Sequence, residues 1–332
     1  MRYSPRTDRL TCDYCGETAD APKDGPWKAR PPEELDYYAA LKGQVDAAEM
    51  EETQTVHCTS CGAEFTFEPN VHSAECPFCA SPVVTDTGTS RHIKPRGILP
   101  FLIEERAAKD ALRKWLRGLW FAPSGLKQYA RADRPMTGIY APYWTYDAQS
   151  ETDYRGERGD AYYVTRTVRG SDGKMRTQRV RKIRWSRKSG HVSRFFDDVL
   201  VLASSSLPKK YADRLEPWDL SALQPYRPDY VAGFRSEAYT VSLEDGFAEA
   251  REIMDSVIRQ DVRRDIGGDQ QRIHELRTRL SNVTFKHILL PMWLAAYKYN
   301  GKSYRFIVNA RTGEVQGERP YSAWKIAVAV IL

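Results

Sequence analysis

All six cysteines of this chain fall in Cys-x2-Cys pairs: Cys12 with Cys15, Cys58 with Cys61, and Cys76 with Cys79. Each pair turns tightly enough to aim two thiolates at one point. The fourteen residues between Cys61 and Cys76 suffice for a short hairpin that returns the second pair to the same ion. Gly62 follows Cys61 where a knuckle needs positive φ, and Pro77 stiffens the second knuckle. Between the pairs, Ala63 to Phe67 alternates like a strand. The spacing predicts a tetrathiolate Zn2+ on Cys58, Cys61, Cys76 and Cys79. A redox dithiol would instead place a single pair at the start of a helix. With four protein ligands and no position for water or substrate, such a site holds structure and performs no hydrolysis.

A chain of 332 residues, 41% hydrophobic and 28% charged, has material for an ordinary core and two or three domains. Its net charge of +6 is unevenly spread: thirteen Lys and Arg face three acids from Arg155 to Arg194, whereas Glu17 to Glu52 is acidic. Cysteines confined to pairs point to a reducing compartment, and the opening Met1-Arg2-Tyr3-Ser4-Pro5 lacks an apolar signal core. A cytoplasmic location follows. At the other end, Ile326 to Leu332 is wholly apolar, short of the ~20 residues that span a bilayer. It reads either as a strand or short helix tucked into the core, or as the first turns of a membrane helix. Trp324 and Lys325 would serve that helix as interface anchors, with Arg319 as a positive flank.

The expected fold class is α+β: an N-terminal zinc ribbon over 1–90, an antiparallel-sheet body over 91–321, and the apolar segment 322–332. Glu33 to Met50 reads as a helix with Leu35, Tyr38, Leu41 and Val45 on one face, and Val83 to Arg96 as a linker. Ile103 to Trp120 is a second helix, carrying Ala107, Ala111, Leu112, Trp115 and Leu119. Ser242 opens a third as a capping box, and Gly267-Gly268 ends it. Strands are expected at Gly138–Tyr146, Tyr162–Val168, Arg176–Trp185, Phe195–Ala203 and Ala238–Val241. Five more follow, at Arg272–Ser281, Thr284–Leu290, Leu294–Tyr299, Tyr304–Val308 and Glu314–Gln316. Asp172-Gly173 supplies a type I′ hairpin signal.

The hairpin within 160–188 carries the strongest surface signal. Alternation puts Arg179, Arg181, Trp185 and Arg187 on one face, and Arg176, Lys182, Arg184 and Lys188 on the other. Positive charge on both faces implies a projecting element. It suits phosphate backbones, with Trp185 available to stack on a base, or anionic headgroups, or an acidic protein. A solvated arm that serves only solubility remains the plain alternative. Catalytic signatures are missing: no phosphate-cradling loop with its Lys and Ser or Thr, no HExxH, no GxSxG. The chain therefore reads as a non-enzyme.

Several phrases resemble a family of bacterial TFIIB-type zinc-ribbon proteins, sometimes labelled primosomal protein N′-like. They are Ile93-Lys94-Pro95-Arg96-Gly97-Ile98-Leu99-Pro100-Phe101, Leu119-Trp120-Phe121-Ala122-Pro123, Tyr140-Ala141-Pro142-Tyr143-Trp144-Thr145-Tyr146-Asp147, and Leu290-Pro291-Met292-Trp293 through Val315. The resemblance implies C-terminal membrane helices, hence a tether to the inner membrane, and carries no catalytic residue. Helicase activity is not expected, since the motor's phosphate loop is missing. Members tend to have two Cys-x2-Cys pairs in a first ribbon, whereas here Cys12 and Cys15 have no second pair before Cys58. They form a degenerate ribbon without metal, a zinc site completed by His57, His72 or a partner chain, or an exposed redox dithiol. The resulting expectation is a zinc-binding adaptor or assembly protein at the cytoplasmic membrane face, with a protein partner. A nucleic-acid-binding protein is the alternative, and self-association stays open.

Overall fold

The computed structural model describes residues 1–12, 15–20, 34–65, 73–79, 81–84, 87–119, 135–169, 175–299 and 302–318. Three very long strands dominate it. Thr137–Arg169 runs up the centre, with Met175–Leu202 antiparallel on one side and Gln270–Tyr299 antiparallel on the other. Shorter strands extend the sheet beyond Gln270–Tyr299. Gly97–Ile98 joins it in parallel, and Lys302–Asn309 followed by Val315–Gly317 joins it antiparallel. The class is mixed α and β with mostly antiparallel pairing and few helices.

Burial divides the long strands in two. From Gly138 to Ala148 every residue of the central strand is buried, because layers cover both faces there. Beyond Tyr154 the same strand is increasingly exposed and polar. One covering layer is the helix Leu243–Ile266, whose Ala250, Met254, Ile258, Val262 and Ile266 form an i, i+4 stripe against Trp144, Tyr146, Tyr154 and Phe285. Ser242 caps it, accepting the Asp245 N–H at 3.0 Å, and Gly267 ends it at φ 68°. A second cluster sets helix Glu105–Arg117, through Ala108, Leu112 and Leu116, near Trp293 and Phe306.

Several sequence expectations are corrected by tertiary contacts. The helix expected over Glu33 to Met50 shrinks to Tyr37–Leu41, because Leu35–Asp36 pairs as a strand with Thr284 and Phe285. Asp36 then caps the short helix, and Tyr37, not Tyr38 or Leu41, is the buried residue. The supposed linker contains the strand Thr87–Ile93, antiparallel to Met50–His57. Ala238 to Val241 is not a strand; the neighbouring Arg235–Ser236 is, pairing in parallel with Ile139 and Tyr140. Three expected strands merge into Gln270–Tyr299. The break foreseen near Ser281 is a bulge at Asn282, φ 50°, and Pro291 keeps its place because its carbonyl still accepts the Ala310 N–H.

Among the described residues no helix is long and apolar enough to cross a membrane. This finding overturns the expected tether to the inner membrane and the location drawn from it. The apolar segment 322–332, on which that expectation rested, lies outside the described residues, as does the Asp172-Gly173 turn.

Candidate metal centre

Two main-chain rings build the cysteine cluster. The Cys58 N–H donates to the Ala63 carbonyl at 2.8 Å, and the Gly62 N–H donates back to the Cys58 carbonyl at 2.8 Å. Gly62 sits at φ 75°, which a side chain would resist. The second knuckle repeats the first of these bonds, from the Cys76 N–H to Ser81 at 2.8 Å. The sulfurs accept further main-chain donors: Cys58 from Ser60 and Cys61, Cys61 from Ala63, Cys76 from Phe78 and Cys79. Such N–H···S bonds stabilise thiolate over thiol.

All four Sγ atoms lie within 4.8 Å of one another, with Cys58 to Cys79 and Cys61 to Cys76 each at 3.7 Å. A tetrahedron of sulfurs ~2.3 Å from a zinc ion has edges of about 3.8 Å, so the cage has the size this metal requires. The Cys61 thiol is pulled down to about 5 by its hydrogen bond with Cys76 and the Ala63 amide, against the cost of burial. Cys76 is pushed up, first by Cys61 and then by burial. A divalent cation would let all four sulfurs ionise. Cys58, Cys76 and Cys79 are buried, under Val56, Phe65, Phe78, Leu202 and Leu207. The knuckles therefore belong to the same apolar cluster as the long sheet. Four cysteines close together could hold a metal ion.

Beneath the cluster, the extended segment Arg235–Ser236 and Glu237 stitch the knuckle strand to the sheet. The Glu237 N–H donates to Tyr140 and the Ala238 N–H to Glu64. The buried Glu237 carboxyl is raised to about 8 by burial, even though Ser204 and Ser206 donate to it.

Cys12 and Cys15 lie elsewhere, in the turn after the small strand Arg9–Thr11. Among the described residues no group of three or more metal-ligating side chains includes them. His57, offered as a possible completing ligand, faces Glu64 at 3.7 Å; His72 lies outside the described residues.

The basic hairpin is the far end of two long strands. The third strand stops at Gln270, opposite Gly159, so 160–169 and 175–184 pair only with each other. The arm reaches roughly 30 Å beyond the sheet at ~3.4 Å per residue. Its register sets Arg179, Arg181, Trp185 and Arg187 on one face, and Arg176, Lys182, Arg184 and Lys188 on the other. Asp269 clamps its foot, accepting the Ala161 N–H at 2.7 Å and facing Arg181 at 3.6 Å. Trp185 is half-buried. The Arg272 guanidinium lies 3.8 Å from its ring centroid, and Gly159 opposite leaves space that the indole fills. The exposed rings are Tyr162 and Tyr163, beneath Arg184 and Arg179 respectively.

Sequence reasoning missed two buried polar sites. Glu34, Asp147 and Asp198 bring carboxylate oxygens within 4.8 Å of one another, but the cation among them is the protein's own Lys286, 2.6 Å from Glu34 and 2.7 Å from Asp198. Asp147 is raised to about 7, chiefly by burial. His287 is buried beside Trp144 and Tyr239, hydrogen-bonded to the Ile93 carbonyl, and held down to about 4 by burial. No local pattern marks either site, since each draws its members from segments far apart in sequence.

Comparison with known proteins adds one relative. The chain is 28% identical, over 255 residues, to the uncharacterized protein YdjG of Bacillus subtilis strain 168, covering 72% of this chain and 67% of that protein. No protein-family model matches the chain, and no solved structure matches it.

Proposed function

We propose that this chain is a zinc-stabilised, non-catalytic binding protein that works as an adaptor or assembly factor. Zinc would be held by Cys58, Cys61, Cys76 and Cys79 as a ribbon-type site, fixing the knuckles to the sheet. The observation that carries this reading is the cage itself: two Sγ pairs at 3.7 Å and three of the four cysteines buried, so four thiolates would fill a tetrahedral site. A metal so enclosed supplies folding energy and no Lewis-acid chemistry. The long sheet then serves as a rigid mount that presents the basic arm to a partner. Elemental analysis of purified protein tests the first step. Zinc should be present, and a strong chelator should lower the melting temperature. Full retention of the melt after metal removal, or iron in place of zinc, refutes it.

A second reading, nucleic-acid binding, is favoured by one specific observation: the arm carries bases on both faces. A flat partner surface meets one face of a ribbon, whereas the major groove of a duplex walls a two-stranded ribbon with phosphate on either side. Under this reading, duplex affinity falls steeply with salt, and replacing Arg179, Arg181 and Arg184 by Ala flattens that dependence. Capture of a protein partner by the same arm, insensitive to nuclease, supports the adaptor reading instead.

A further inference from the structure

The turn at Cys12 repeats two main-chain hydrogen bonds of the knuckle at Cys58. The Cys12 N–H donates to the Glu17 carbonyl at 2.9 Å, as Cys58 does to Ala63 at 2.8 Å. The Gly16 N–H returns to the Cys12 carbonyl at 2.9 Å, as Gly62 does to Cys58 at 2.8 Å. Gly16 stands at φ 74° and Gly62 at φ 75°. Both segments read Cys-x2-Cys-Gly. A main-chain ring of this kind aims two sulfurs the same way, and it is formed here in advance of any metal.

The surroundings give such a metal something to do. Arg2–Ser4, Arg9–Thr11 and Thr18–Asp20 form a separate three-stranded sheet. Of these strand residues only Tyr3 is buried. Tyr3 seats the sheet on the body, donating its N–H to the Ala232 carbonyl at 3.0 Å and meeting the Tyr230 ring edge-on at 5.3 Å. A sheet so small and so lacking in core gains stability from a staple. The knuckle lies in the turn between its second and third strands, and Cys15 is exposed there.

We propose that Cys12 and Cys15 are one half of a second zinc site, closed by Cys12 and Cys15 of a second copy of this chain. The other four cysteines of the chain are gathered in the buried cluster, so further sulfurs from this chain come from a second copy. Two identical knuckles related by a two-fold axis supply four thiolates to one ion, an isologous contact that closes on itself. Zn2+ displaces four thiol protons when the site fills, two from each chain, so the association weakens as pH falls. This inference rests on the reading of the Cys58 cluster as a zinc site, and the experiment separates the two.

The test measures zinc per chain together with mass by light scattering, for the intact protein and for Cys12→Ser/Cys15→Ser. The intact protein should be a dimer with three zinc ions per two chains. The double variant should be a monomer with one zinc per chain and an unchanged far-ultraviolet circular dichroism spectrum. Two zinc ions in a monomer would overturn the proposal, because the ligands would then come from within one chain. One zinc per chain in both proteins would overturn it as well. Zinc missing from the double variant would instead defeat the reading of the Cys58 cluster. A single Cys15→Ser variant, which leaves the Cys12 ring of hydrogen bonds intact, should also lose the dimer; a dimer that persists through it refutes the shared metal.

Discussion

Lys286 keeps only 7% of its side chain exposed and holds its charge because Glu34 and Asp198 both reach it. Burial alone would lower its pKa, but these partners raise it instead. Replacing Lys286 by Met leaves acids crowded without their cation. The expected loss is about 3 kcal/mol, at the low end for a broken buried pair because Glu34 and Asp198 retain partial solvent contact; chemical denaturation reads it directly. Asp147, raised to about 7, gives the cluster a pH signature. Its folded pKa lies above the ordinary carboxylate value, so the folded chain keeps a proton that the unfolded chain releases. Stability from this group is full below about pH 4 and lost as pH rises to about 7. Glu34 is lowered and acts oppositely, losing its contribution as pH falls below the ordinary range. Asp147→Asn should flatten the melting temperature between about pH 4 and 7 while leaving the acid limb intact. His191, bonded to Asp153 and Glu151, titrates above an ordinary histidine. Its imidazole resonances should shift above the ordinary histidine range, and mutating Asp153 to Asn should bring them down.

The element that depends most on one residue is the helix Leu243–Ile266. Gly246 faces the sheet where a Cβ would stand 2.5 Å from the Tyr146 hydroxyl and 2.8 Å from the Trp144 ring. Both aromatics are pinned, Trp144 donating to the Val241 carbonyl and Tyr146 to the Leu243 carbonyl. Neither can retreat, so Gly246→Ala should cost about 1–3 kcal/mol despite the gain in helix propensity. A drop in the urea midpoint at unchanged slope would report it. The sequence told the period of this helix, its cap and its stop correctly, because those are decided within the helix itself. Of the residues expected on the face of the second helix, Leu112 and Leu119 are buried and Ala111 and Trp115 pack against the same cluster, whereas Ala107 is exposed and the buried Ala108 and Leu116 went unforeseen. A scatter of apolar residues around a helix leaves the contact face for the partner to choose.

For the molecule as a whole, the sheet separates a core end from an exposed, basic end. The arm adds almost no buried apolar surface, since its residues beyond Asp160 are exposed or half-exposed. Deleting 164–180 and closing the strands with a two-residue turn should therefore leave the melting temperature within a few degrees of the parent. Anion binding measured on heparin should weaken without vanishing, since Arg176 and Arg179 are removed while Arg181, Lys182, Arg184, Arg187 and Lys188 remain. A collapse of the fold in that variant would mean the arm has a structural duty.

What the chain determined by itself is local. Paired cysteines with their glycines fix two knuckles of matching geometry, and period and capping fix the long helix. These depend on neighbours a few residues away, which any sequence displays. Only the tertiary structure decided that Leu35 and Asp36 join a strand two hundred and fifty residues distant, that Pro291 sits inside a continuous strand, and that Arg272 covers Trp185. It alone assembled Lys286 with Glu34, Asp147 and Asp198. Each of those outcomes turns on which surfaces meet when apolar area leaves water, a global competition that no short window of sequence records.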